Sequence, residues 1–196
     1  MCRRLTSTIA AGLTAACLLA PAAQAAVRVP SVPVAANPAE RLLALPMEAA
    51  IYEPASRCLP KAQRPGTERF TAWLDATARG VDWGSYRCER WGARSASLHA
   101  EKRAVDWHLD VSRRADRRAA ERLIALLTAP DSAGNPHALA RRMGVEEIIW
   151  DCAYWAAGMT DFRPYSPCLG RDGRFSRRVD ITTAHRDHIH FGLTRA

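Results

Sequence analysis

The sequence predicts an α+β domain, and three observations carry that prediction. Helical and strand patterns are mixed at irregular spacing, without the regular strand–helix alternation of a wound parallel sheet. The segment Ala104–Val111 alternates cleanly between apolar and polar residues, and Asp187–Leu193 and Glu147–Trp150 are further strand candidates. Apolar residues make up 48% of the chain, enough for a core, and the 24% charged residues are ordinary for a folded protein.

The chain of 196 residues is not all fold. Arg3 and Arg4, an apolar run from Ile9 to Ala20, Pro21 and then Ala23-Gln24-Ala25 describe a secretory signal peptide over residues 1–25, cleaved after Ala25. The apolar run falls short of the roughly 20 residues that span a bilayer, which argues against an anchor and against a transmembrane segment in the mature chain. Cys17 follows Thr14-Ala15-Ala16, where a lipid-attachment site carries a Leu-like residue at the Thr14 position, so lipidation is not expected. Residues 26–50 hold Pro30, Pro33, Pro38 and Pro46 and read as a Pro-rich linker, with a short helical turn around Glu40–Leu45. The domain proper is expected over residues 51–196.

Within it, Thr67–Ala78 places Phe70, Trp73, Leu74 and Ala78 on one helical face, with Gly80 as the stop. The strand Ala104–Val111 turns Val105, Trp107, Leu109 and Val111 to one side and Asp106, His108 and Asp110 to the other. Ser112 is positioned to cap a helix whose apolar stripe is Ala115, Ala119, Leu123, Leu126 and Leu127, ending before Pro130. Asn135-Pro136 opens a further short helix, and Gly144 closes it.

Of the 28 basic residues all but Lys61 and Lys102 are Arg, a bias that reflects coding background better than a binding function. Loss of Arg3 and Arg4 with the signal lowers the net charge from +8 to +6. Arg113, Arg114, Arg117 and Arg118 lack interleaved aromatics and read as a solvated helix face, so nucleic acid is not an expected partner. The signal also removes Cys2 and Cys17. Cys58, Cys88, Cys152 and Cys168 remain, and four cysteines in an exported chain imply two disulfides with three possible pairings. No C-x-x-C pair exists, which disfavours a zinc site built of thiolates. Cys58–Cys88 and Cys152–Cys168 each close a local loop and are the expected pairs.

The chemistry lies in the histidines. Three of six fall in His185-Arg186-Asp187-His188-Ile189-His190, and on a strand His188 and His190 share a face. Upstream, His99 precedes Asp106 by seven residues. Imidazole and carboxylate ligands suit zinc, and catalytic zinc sites use three protein ligands with one position left for water. His99, Asp106 and one of His188 or His190 supply such a set. His108 and Asp110 share the Asp106 face and read as ordinary polar sheet surface. His137 reads as surface, and the six Trp residues read as core, with Trp91 or Trp155 as candidates for stacking on a sugar near the site.

The pattern Ser97-x-His99 with Asp106 seven residues on, followed by Asp187-His188-x-His190, resembles the signature of the LAS superfamily of zinc peptidases. That superfamily holds D-Ala-D-Ala carboxypeptidases and dipeptidases, murein endopeptidases and the hedgehog signalling domain. The chain is also similar to a group of secreted bacterial C-terminal domains, through Tyr52-Glu53-Pro54 and Cys58, His99–Trp107, Ile148–Trp150 and Thr182–His190. The resemblance covers nearly all of residues 51–196. It implies a small antiparallel sheet with helices packed on it, as in the hedgehog and D-Ala-D-Ala-peptidase fold. It implies His99, Asp106 and His190 as zinc ligands, and His188, Asp187 and His185 as the catalytic group. His188 is favoured as the base, with Asp187 orienting an imidazole, because strand parity turns Asp187 away from His190. Ser97 and Arg103 are placed to hold a substrate carboxylate or oxyanion. The implied protein is a secreted or wall-associated monomer with Zn2+ that hydrolyses or binds peptidoglycan peptides. Lys102 stands where the family pattern has Gly; a turn of positive φ there would force Lys into a left-handed conformation. That departure keeps a second reading open, a wall-binding or interaction module whose zinc site is structural or lost. A basic extracellular nuclease using histidine and a metal is a third, weaker one.

Overall fold

The computed structural model describes residues 45–176 and 178–195. The signal peptide, most of the linker and all but Leu45 of the turn around Glu40–Leu45 lie outside the described residues. Residues 46–49 run without helix or strand. Glu48 already packs on the domain: its N–H donates to the Arg141 carbonyl (3.2 Å), and Arg141 Nε donates back to the Glu48 carbonyl (3.0 Å).

The described chain is a mixed α+β structure. Helices α1 (Pro65–Thr77), α2 (Arg114–Thr128) and α3 (Ala138–Arg142) accompany strands β1 (Val81–Asp82), β2 (Arg90–Gly92), β3 (Ser95–Ala96), β4 (Ala104–His108), β5 (Val145–Trp150), β6 (Ala153–Ala156), β7 (Arg163–Pro164) and β8 (His188–Leu193). Six strands form one antiparallel sheet in the order β1-β4-β8-β5-β6-β7, and β2 pairs with β3 as a separate hairpin. The alternation read in β4 and β8 sets the two faces. Val105, Trp107, Ile189 and Phe191 share one apolar core with Phe70 and Leu74 of α1, Leu123 and Leu127 of α2, and Leu139 of α3. The Phe70 ring meets Phe191 edge-on at 5.1 Å. Gly80 lies at φ +136, and any side chain there would strike the Trp107 indole. The close approach lets Trp107 Nε1 donate to the Arg79 carbonyl (2.8 Å).

Three local expectations shift. Helix α2 starts at Arg114 without a side-chain cap, because Ser112 Oγ and N–H both donate to Asp110 Oδ1 instead (2.7 and 2.8 Å). Its buried residues are Asp116, Ala120, Leu123 and Leu127, whereas Leu126 is exposed. Asp116 turns inward because Arg79 Nε donates to it at 2.7 Å, and alanines carry too little apolar surface to set the face against that pair. Helix α3 starts at Ala138 rather than at Pro136: the Asn135 amide is spent on Asp131 (3.0 Å), and His137 sits at φ +52 between them.

Arg103 corrects the largest of the expectations. It is fully buried and cannot meet a substrate. Lys102 takes a left-handed conformation (φ 58, ψ 31), and Arg103 follows it on the face opposite Asp106, in line with Val105 and away from the histidines. There Arg103 donates to Glu146 Oε1 (2.7 Å), Glu101 Oε2 (3.2 Å) and the carbonyls of Leu193 (2.7 Å) and Glu53 (2.6 Å). Burial pushes the Glu146 carboxyl up to about 7 despite the opposing pull of Arg103. Removing the cation would leave the buried Glu146 uncompensated and Glu101 with only the half-exposed Arg195, at 3.2 Å. Arg103→Ala is therefore expected to lower unfolding free energy by about 3–5 kcal/mol in a denaturant titration. A loss under about 1 kcal/mol, the scale of an exposed pair, would contradict this role.

Candidate metal centre

The opposite face of the sheet, on the side away from the apolar core, carries the histidines. Asp106 and His190 are directly opposed across the β4–β8 ladder, as are His108 and His188 two pairs further along. His99 arrives on a 3-10 turn, Leu98–Glu101, which Ser97 opens by accepting the His99 N–H on its hydroxyl (3.3 Å). Lys102 closes that turn at positive φ, so the bend is made by a residue that carries the left-handed cost of about 1–2 kcal/mol. Gly192 makes room for it. A Cβ there would run into the Leu98 side chain and lie 2.8 Å from Glu147 Cβ.

The three expected ligand atoms converge. His99 Nε2 lies 3.0 Å from Asp106 Oδ1 and 3.2 Å from His190 Nδ1, and His190 Nδ1 lies 3.1 Å from Asp106 Oδ1. All three residues are buried, and the group could hold a metal ion. The triangle's edges are close to those of a tetrahedral site with bonds of 2.0–2.1 Å, which are about 3.4 Å. Neighbouring acceptors fix the tautomers. His99 Nδ1 faces the Ser85 carbonyl at 3.2 Å, and His190 Nε2 faces Glu147 Oε1 at 3.1 Å. Neither oxygen can donate, so both outer nitrogens carry hydrogen, and the inner nitrogens are the ones that present lone pairs once His190 gives up its second proton. Arg87 Nη1 donates to the remaining carboxylate oxygen, Asp106 Oδ2, at 2.6 Å.

Two lone pairs and a carboxylate oxygen thus point into one small space, and only a cation or a shared proton reconciles them. The titration behaviour follows. Burial works against charging His190, yet hydrogen bonds to Asp106 and Glu147 and their negative charge outweigh it and push His190 up to about 9. Burial, opposed in part by Asp106, holds His99 below its ordinary value. Burial would raise Asp106, but its bonds to His190 and His99 hold it far below the carboxylate range.

Beside the triangle stands His188, whose Nε2 lies 3.5 Å from Asp106 Oδ1. Its Nδ1 meets Asp187 Oδ1 at 2.7 Å, and Thr182 Oγ1 donates to Asp187 Oδ2 at 2.6 Å. β8 begins at His188, so Asp187 lies outside the ladder and is free of its parity. His185, at φ +51, packs its ring 4.7 Å from His188 and 5.7 Å from His190, with Nδ1 facing the Thr183 carbonyl at 3.0 Å. Burial, then repulsion from the other two imidazoles, holds it down at about 3. His108 Nδ1 donates to the Asp187 carbonyl (2.7 Å), while Asp110 is occupied with Ser112.

A cleft of about 390 Å3 opens over this group, walled by Tyr52, Arg87, Trp91, Tyr154 and Tyr165 together with the histidines. Ser97 lines the cleft, with its hydroxyl engaged as the cap for His99. Arg87, half-exposed, is the guanidinium at the cleft where Arg103 was expected. Trp91 is exposed in its wall, whereas Trp155 is buried in the core. Glu147 and Arg87 were absent from the expected site. Glu147 carries a readable signal, since alternation in β5 puts it on one face with Ile149; Arg87 carries only its position beside Cys88. Burial first, then the Glu147 charge, holds the Tyr52 and Tyr154 hydroxyls well above their ordinary value and hence protonated.

Both expected disulfides form, with Cα atoms 5.4 Å apart in Cys58–Cys88 and 5.7 Å in Cys152–Cys168. The first anchors the segment that carries Arg87; the second lies in a small buried cluster with Ala184, next to His185. Disulfides are consistent with an oxidising compartment. Among the described residues no helix is long and apolar enough to cross a membrane. Compared with family models, with curated proteins and with solved structures, the chain matches none.

Because His190 is protonated below about 9, a divalent metal entering at pH 7 must displace a proton. Titration of the metal-free protein with Zn2+ in buffers of different ionisation enthalpy is expected to show at least one proton released at pH 7. As the pH passes about 9 the His190 share of that release should fall away, leaving only the proton of a zinc-bound water. Uptake without proton release at pH 7 would contradict this ligand set.

Proposed function

We propose that this chain is an exported zinc metallopeptidase-like domain that hydrolyses peptide bonds of peptidoglycan, with the antiparallel sheet of the LAS superfamily. The observation that carries the reading is the His99–Asp106–His190 triangle with the Asp187-backed imidazole of His188 beside it, under an open cleft. The donor set fits zinc: two imidazole nitrogens, one carboxylate oxygen and no thiolate. Bound zinc would lower the pKa of a coordinated water towards ~7 and polarise the scissile carbonyl.

The chain's own groups do the rest. Asp187 holds the His188 Nδ1–H, which leaves Nε2 as a lone pair facing the triangle. Nε2 takes the proton of the attacking water and returns it to the leaving amine, a general acid–base role worth about 10^2–10^4 in rate. Glu147 and the Ser85 carbonyl keep the ligand imidazoles in the tautomers that face inward. Arg87 leaves Asp106 one free oxygen for the metal. Lys102 builds the family's bend at positive φ, so the substitution does not by itself argue for a lost site. The signal read over residues 1–25, the two disulfides and the basic balance of the chain support export to the anionic wall.

Zinc-loaded protein incubated with purified muropeptides is expected to release products with new amino termini, detected by mass spectrometry. His188→Ala should lower kcat by about 100-fold or more with zinc content unchanged, and Asp187→Asn by about 10–100-fold. A fully zinc-loaded wild type that binds muropeptides and cleaves none would overturn the enzyme reading in favour of a wall-binding module.

A further inference from the structure

The segment between β1 and the end of β2 carries Trp83, Tyr86 and Trp91, exposed to 52%, 39% and 73%. Burying such a ring is favourable, so three left open on one short segment are not accounted for by folding. The segment is also fixed in place. Cys58–Cys88 ties it covalently, Ser85 offers its carbonyl to His99, Arg87 binds Asp106, and the Glu89 carbonyl accepts the Ser97 N–H (3.0 Å). The Trp83 ring lies flat on His108, 4.2 Å away and tilted by 15°. Aromatic faces held this way bind without a large ordering cost.

Trp91 is the one that reaches the cleft. It shares the cleft wall with Arg87 and Glu89, whose side chains are joined by an ion pair at 2.9 Å. The hairpin that bears it runs through β3 straight into Ser97 and the His99 turn, so a group resting on Trp91 is continuous with the metal centre. An open apolar face beside paired, hydrogen-bonding charges suits a ring with an apolar face and a polar edge. A pyranose has that form. A polyanion or an anionic lipid surface is the rival occupant, since exposed Arg90 and Arg94 flank Trp91; Glu89 and Glu147 in the cleft lining and Asp82 beside Trp83 weigh against it.

We propose that Trp91, with Arg87 and Glu89, forms a saccharide subsite at the cleft mouth that takes an N-acetylhexosamine of a glycan strand. The identity of that strand as peptidoglycan rests on the function proposed above; the stacking site itself does not need the metal. The test titrates the disulfide-intact protein with chitotetraose and follows tryptophan fluorescence, with a single-stranded oligonucleotide and anionic lipid vesicles as rival probes. Saturable binding of chitotetraose is expected. Trp91→Ala should weaken it by about tenfold or more and Trp91→Phe by about threefold or less, the scale of one aromatic contact, with zinc content unchanged in both. His99→Ala should abolish zinc binding and leave sugar binding in place, so failure of the metal centre and failure of this subsite are read separately. No saturable binding, binding indifferent to Trp91→Ala, or Trp91-dependent binding of oligonucleotide or vesicles in preference to the sugar would each overturn the proposal.

Discussion

At the middle of the sheet His99, Asp106 and His190 turn three acceptor atoms toward one another at 3.0–3.2 Å. Such an arrangement is repulsive unless positive charge sits among the atoms. Most of what surrounds it can be traced to keeping those atoms there. The β4–β8 register opposes Asp106 and His190, the capped turn brings in His99, and Gly192 lets that turn lie against the sheet. Glu147, the Ser85 carbonyl and Arg87 take up every polar atom of the three that does not point inward.

The two faces of β4 divide the work. One face builds the apolar core through Val105 and Trp107; the other presents Asp106 and His108. Just before the strand, the left-handed Lys102 marks the point where the chain changes direction. His99 goes to the site, and Arg103 goes into an ion-paired interior with Glu101 and Glu146. Arg103 holds the Glu53 carbonyl and the Leu193 carbonyl as well, so the segment bearing Tyr52 and the end of β8 are fixed by one cation. A buried cluster of that kind specifies where the site's elements sit even where its net contribution to stability is modest.

Much of this was readable from residues alone, because period-two alternation in β4 and β8 assigns faces without knowledge of the partner strand. The ligand set, the shared face of His188 and His190, and the local disulfides followed from spacing and resemblance together. Other features depend on contacts distant in the chain. Arg103 lies on the face opposite Asp106 by the same alternation, but the partners that bury it, Glu146 and Glu53, are distant in the chain. The inward turn of Asp116 needs Arg79, 37 positions away, whereas the failure of Asn135 as a cap is local, decided by Asp131 four positions back. Alternation puts Glu147 on one face with Ile149, but its reach to His190 depends on the β5–β8 register, which β5 alone does not carry. Strands as short as β1 and β7 carry no pattern long enough to read.

The claim on which the account rests is that His99, Asp106 and His190 bind one metal ion through two imidazole nitrogens and one carboxylate oxygen. X-ray absorption at the zinc edge of the loaded protein measures that shell directly. The account predicts nitrogen and oxygen neighbours at about 2.0–2.2 Å, with the outer-shell scattering of two imidazoles and no sulfur. A sulfur shell near 2.3 Å, or an oxygen shell without imidazole scattering, would contradict it.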